Sequence, residues 1–205
     1  SAYVNAHISP FLSLFNCSLM TKFFSLLKYI FLAIAILFAS QSYVYAQSPA
    51  LNALFERLLV IEASEASKIE EKIMLEWSRS GSPAMDIIFD QAKTSLSIKA
   101  YSKAMVHLNA LTDHAPGFVE GWSLSAVAFQ KSGKIGPALA SIEQVLMIEP
   151  RHFHALAVLV IILEDLGLFF EALEVVNRIE SIHPHFVKLN TLRRRLEIRS
   201  QGQAL

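Results

Sequence analysis

The stretch Trp122-Ser-Leu-Ser-Ala126-Val-Ala-Phe129, then Lys131-Ser-Gly133-Lys134, then Ala138-Leu-Ala-Ser-Ile142-Glu-Gln-Val145, closing on Glu149-Pro150, decides the fold. Its apolar residues recur at helical spacing on both sides of Gly133, so it reads as two amphipathic helices joined by a tight turn. The pattern repeats along the chain. Pro116, Pro150 and Pro184 are 34 residues apart, and Ala104, Ala138 and Ala172 keep the same step, as do Gly133 and Gly167. Three coincident series with one period mark a stacked helix–turn–helix array, in which each unit buries its apolar side against its neighbours.

The spacing has a mechanical reason. Ala126 and Ala138 are small where the two helices of a unit cross, which allows close approach, and Trp122 and Phe129 fill the groove beside them. Gly133 suits a left-handed turn conformation that other residues adopt at a cost of about 1 kcal/mol. Pro150 ends the second helix because it cannot donate the helical hydrogen bond.

Working outward, the unit at 119–150 is the best formed. The unit before it has helices at about 83–97 and 100–113, with Ala92, Tyr101, Ala104, Leu108, Leu111 and Pro116 in phase; Ile88 stands for Trp and Lys99 for the turn Gly. The unit after it, at about 153–184, carries Leu156, Val160, Leu163, Gly167, Phe169, Ala172, Val176, Ile179 and Pro184. Residues 47–82 predict a degenerate N-terminal helix pair serving as a cap. Ser48-Pro49 and Ser82-Pro83 are read as helix starts with Ser as N-cap, and a second helix is expected from Ser64. Phe186, Leu189, Leu192, Leu196 and Ile198 predict a capping helix over about 185–199, ahead of a short tail. Arg193, Arg194 and Arg195 are placed on its solvated outer side.

These phased positions resemble the tetratricopeptide repeat family over roughly residues 83–184. The expected fold is therefore all-α: a right-handed α-solenoid of about three such hairpins, with an N-terminal helix pair and a C-terminal capping helix. The stretches Glu76-Trp-Ser-Arg-Ser-Gly-Ser-Pro83 and Leu111-Thr-Asp-His-Ala-Pro116 further resemble small exported repeat proteins of alphaproteobacteria. The resemblance implies a concave groove, lined by the first helix of each unit, that holds a peptide or partner helix. By the family's geometry its residues are Asp86, Phe89, Lys93 and Leu96, then Glu120, Ser123, Val127 and Gln130, then His154, Ala157, Ile161 and Glu164. With Lys93 the only cation among them, the groove does not match the subclass that grips a C-terminal carboxylate. A mixed apolar and acidic lining points instead to a hydrophobic or basic segment. Trp122, Ala126, Phe129, Gly133, Ala138, Pro150, Gly167, Ala172 and Pro184 are assigned to the scaffold.

Acidic and basic residues balance at 18 each; Lys22 and Lys28 precede residue 47, and every acidic residue follows it. The slight acidic excess of the array argues against nucleic-acid binding, which wants a basic stripe. Met20 to Lys28, the apolar run Tyr29 to Ala39, and the small residues Val44 and Ala46 predict a secretory signal over 20–46, cut before Gln47. The expected location is a periplasm, with an uncleaved inner-membrane anchor as the alternative. Residues 1–19 are expected to be an over-extended leader before a start at Met20. The single cysteine, Cys17, lies there, so no disulfide or thiolate site is expected beyond it.

Two His-x-His pairs, His152/His154 and His183/His185, invite a metal reading. Zinc needs three or four ligands, and alternate residues across a helix start do not converge, so these histidines are expected to be structural or solvent-exposed. Ser132-Gly133-Lys134-Ile135 lacks the Ser/Thr and the earlier Gly of a phosphate loop. Glu164, Asp165, Glu171 and Glu174 read as a solvated helix face, and no Ser has the strand–turn–helix setting of a nucleophile. No enzyme, metal or cofactor is expected. The function that follows is a scaffold or adaptor for a protein or peptide partner, or else a structural or accessory subunit of an envelope complex or exported enzyme.

Overall fold

The computed structural model describes residues 48–201. The expected leader and export signal lie outside the described residues. Among these, the chain forms only helices: α1 (Pro49–Val60), α2 (Ala63–Trp77), α3 (Pro83–Ser97), α4 (Tyr101–His114), α5 (Val119–Lys131), α6 (Ile135–Ile148), α7 (Phe153–Asp165), α8 (Phe169–Ile182) and α9 (Leu189–Gln201).

Three hairpins, α3/α4, α5/α6 and α7/α8, stack as an α-solenoid. Their common register is visible in burial. Ala104, Ala138 and Ala172 are fully buried, and so are Ala92, Ala126 and Val160, which stand 34 residues apart on the first helices. Apart from Val160, these positions carry small side chains that let each pair of helices pack closely. Leu108, Ile142 and Val176, with Leu111, Val145 and Ile179, extend each second helix into the core. Between the first and second hairpins, Phe89 meets Phe118 edge-on at 5.0 Å. The indole Nε1 of Trp122 donates to the Pro116 carbonyl at 2.8 Å and fastens α5 to the preceding loop.

The intra-hairpin turns share one backbone geometry. Gly133 and Gly167 have φ of 71° and 77°, and Lys99, in the equivalent place, has φ of 59°. The first unit thus keeps the turn with a residue that must enter the left-handed region.

Helix starts differ in detail from expectation. Ser48 and Ser82 precede prolines in the first helical position, but neither side chain caps its helix. Their carbonyls accept from Asn52 and Asp86 instead, at 3.1 and 3.0 Å. The second helix opens at Ala63, with Glu62 in the N-cap position rather than Ser64. The capping helix starts at Leu189, later than the expected 185, because residues 183–188 turn under the array, with Phe186 N–H bonded to the His183 carbonyl at 3.0 Å.

Two corrections bear on function. The arginine run of α9 is not simply a solvated face. Arg193 donates to Asn177 at 2.8 Å and to Glu180 at 2.6 Å, while Arg195 and Arg199 both pair with the buried Glu164 of α7. Arg194 alone of the run is exposed without a partner role in this packing. The second correction concerns the N-terminal pair. It does not extend the stack before α3 as a cap; its apolar side, Leu51, Phe55, Leu58, Ile69, Ile73 and Trp77, shares one core with Phe153, Leu156, Val160, Val176 and Phe186 of the last hairpin and its exit.

Candidate protein-binding face

The site is built from the N-terminal ends of α5 and α7, the C-terminal end of α8, and α1–α2 laid against them. Phe118, His152 and Phe186 are 34 residues apart and buried in the same register position before a first helix or the cap. Two members are Phe; the middle one is His. The His152 Nδ1 accepts from the Ala155 amide at 3.1 Å, so its proton sits on Nε2, which faces Glu120 Oε1 at 3.3 Å. Both ring nitrogens are thereby committed, and the ring plane is fixed.

Trp77, the last residue of α2, stacks on that plane with centroids 4.1 Å apart and 14° between rings. Trp77 and Phe55 also pack on Phe153, at 5.2 and 6.5 Å. Contacts of this size dominate local stability, and truncating a buried Trp to Ala costs about 3–5 kcal/mol. Around them runs a polar border. Arg151 pairs with Glu149 at 2.9 Å, donates to Asn52 at 3.0 Å, and lies over the Phe55 ring at 4.0 Å. His185 Nε2 donates to the Ile61 carbonyl at 3.0 Å.

Glu70 is the electrostatic centre of this border. Its carboxylate oxygens lie 3.2 Å from His154 Nε2 and 3.1 Å from His183 Nε2. The hydrogen bonds from these two imidazoles hold the Glu70 carboxyl down to about 2, against the opposing effect of its own burial. All four histidines of the two His-x-His pairs are therefore used in joining elements: His152 to α5 and Trp77, His154 and His183 to Glu70, His185 to the end of α1. No group of three or more His, Cys, Asp or Glu among the described residues is arranged to hold a metal ion.

Two buried side-chain atoms here have no partner, Trp77 Nε1 and His183 Nδ1. Leaving such a group unpaired costs about 1–3 kcal/mol. Both fall where α2 meets the array.

The twelve groove positions separate into two groups. Phe89, Glu120, Ser123, Ala157 and Glu164 are buried. Phe89 belongs to the packing between hairpins, Glu120 is held by His152, and Glu164 is held by Arg195 and Arg199. His154 is engaged by Glu70. Leu96, Val127, Gln130 and Ile161 are partly accessible and lie toward the C-terminal halves of the first helices, while Asp86 and Lys93 are exposed on α3. Ser80 Oγ donates to Asp86, and Lys93 pairs with Asp90 at 2.7 Å. Leu96, Val127, Gln130 and Ile161 thus stay partly accessible, while Glu120 and Glu164 are internalised and Asp86 is not.

Glu70, Asn52 and Arg151 were not singled out from the sequence, and Trp77 was read only as part of the apolar side of the second helix. The 34-residue step gave no signal for them: counted back from Ala104 it lands on Glu70, whereas the buried small residue at the fourth position of α2 is Ala66.

A three-hairpin solenoid in this register, closed by an amphipathic helix, is the tetratricopeptide repeat fold, an architecture typical of non-enzymatic protein-binding scaffolds. Comparison with known proteins agrees with the repeat class. The chain is 31% identical over 123 residues to a TPR repeat-containing protein of Rhizobium etli, spanning 60% of this chain and 60% of that protein's length. Its fold is similar to the crystal structure of the Sgt2 TPR domain from Aspergillus fumigatus, with a TM-score of 0.55 at 17% identity, covering 60% of this chain and 83% of the domain. No family model matches the chain.

Proposed function

We propose that the protein is an exported scaffold, acting in a periplasm, that holds an apolar or amphipathic segment of a partner protein along the open halves of its first helices. The observation that carries this reading is the state of the groove. Leu96, Val127, Gln130 and Ile161 remain partly accessible, while Glu120 is buried against His152 and Glu164 is buried and paired with Arg195 and Arg199. A groove whose two buried carboxylates already have partners offers little to a basic segment and favours an apolar one. This shifts the partner chemistry from the mixed expectation to a hydrophobic one. Export is supported by the basic, apolar and small-residue order of 20–46 and by the absence of cysteine after Cys17.

Capture of envelope proteins by wild type and by Val127→Asp with Ile161→Asp tests the groove. Phe89 is left intact in this variant because it packs between hairpins. Loss of a partner with the fold retained supports the reading; capture unchanged contradicts it.

A second reading, a subunit of a larger envelope complex, is favoured by one feature. Because α1–α2 packs on the third hairpin rather than in front of α3, Ile87 and Ile98 of the first hairpin stay 60% and 70% exposed. Crosslinking through that end, with the groove variant retaining its partners, would favour it.

A further inference from the structure

Residues 49–77 cover the third hairpin and share its core, whereas the apolar clusters of the first two hairpins exclude them. Residues 78–82 join α2 to α3 by local contacts: Ser80 Oγ bonds the Ser82 carbonyl and Asp86. A short connection therefore links the covering pair to α3. Both buried side-chain atoms without partners among the described residues, Trp77 Nε1 and His183 Nδ1, lie at this seam. An occupant that leaves His183 Nδ1 unsatisfied can be replaced by one that satisfies it.

We propose that α1–α2 is a displaceable occupant of a protein-binding site on the third hairpin, and that the site takes from a partner what α2 now supplies: a helix with a carboxylate two turns before a tryptophan. Glu70 and Trp77 are seven residues apart and lie on one helix face. The carboxylate accepts from His154 and His183, and the indole stacks on His152, whose plane is already fixed by Ala155 N–H and Glu120. The site is thus preorganised for a flat ring beside a carboxylate. A partner that adds a hydrogen-bond group opposite His183 Nδ1 would gain over the resident helix. This site uses the N-terminal ends of α5 and α7, away from the open groove positions Val127 and Ile161, and does not depend on the groove reading.

The test uses the full chain and a labelled synthetic peptide of residues 49–77 as probe. The Glu70→Gln, Trp77→Ala protein, whose own occupant is weakened, should bind the peptide at least about tenfold more tightly than wild type, since an occupied site lowers apparent affinity by its free fraction. A peptide carrying the same two changes should lose that binding. Equal affinity of the two proteins, or equal binding of the altered peptide, would overturn the proposal. Should the variant protein fail to fold, native-state hydrogen exchange of the wild type decides. Amides of α1 and α2 should exchange at least about tenfold faster than those of α5 to α7 through a partial opening. Exchange of both groups in one common step would overturn it.

Discussion

His183 Nε2 lies 3.1 Å from Glu70 Oε2, joining the exit of the last hairpin to a helix 113 residues earlier in the chain. His154 Nε2 lies against the other oxygen at 3.2 Å. One half-buried carboxylate therefore ties the N-terminal pair to the far end of the array, and the linear order of the chain is not the order of its packing.

This contact makes stability pH-dependent with a definite sign. The Glu70 carboxyl is held at about 2 in the folded chain, against an ordinary value of 4.5. A depressed carboxylate contributes stability that is complete above about 4.5 and is lost as pH falls toward 2. The gap corresponds to about 3 kcal/mol at its upper limit. Denaturant melts between pH 6 and about 2 should show this loss in wild type, and Glu70→Gln should flatten that part of the profile. Parallel profiles for the two proteins would contradict the contact.

The repeat register predicts overpacking. Ala138 and Ala172 are fully buried where helices cross. Leu at either should destabilise by about 1–3 kcal/mol, read from the thermal or denaturant midpoint.

The turns predict a gain and a loss. Lys99 holds φ of 59°, so Lys99→Gly should stabilise by roughly 0.5–1 kcal/mol after the entropy cost of glycine. At Gly133 an added Cβ would meet no atom within 4 Å, yet φ is 71°, so Gly133→Ala should destabilise by about 1 kcal/mol through backbone conformation alone. Opposite signs in one assay would isolate the turn geometry from packing.

At the C-terminal end, Glu164 is buried and met by Arg195 and Arg199. Both arginines are more than a third exposed, so replacing both by Ala removes solvent-screened partners and should cost about 1 kcal/mol. Glu164→Gln, which removes the charge but keeps polar atoms, should cost less. Equilibrium unfolding of the two variants makes the comparison.

The array was legible in the sequence because its determinants are local and periodic. Ala104, Ala138 and Ala172 each report the same helix crossing, and Gly133 and Gly167 the same turn, so several positions agree on one register. The N-terminal pair was legible as helices from Leu51, Phe55 and Leu58, but not in its placement. An amphipathic helix pair shows which side is apolar and not which distant surface covers it. The His-x-His pairs drew attention to the right places, since all four imidazoles serve the seam. Their partner Glu70 is remote in sequence and carries no spacing signal toward them. The acidic groove residues were placed by family geometry, which is silent on whether His152 or Arg195 reaches in to pair with them.

Nuclear Overhauser contacts of the Trp77 indole test the central claim most directly, because Trp77 and Trp122 are the two tryptophans of the chain and can be told apart by mutation. With ring centroids 4.1 Å from His152 and 5.2 Å from Phe153, the Trp77 ring protons should show strong contacts to both of those rings. Contacts from Trp77 to Ile87 or Ile98 of the first hairpin, with none to His152 and Phe153, would mean that the N-terminal pair stacks in chain order and would contradict the account.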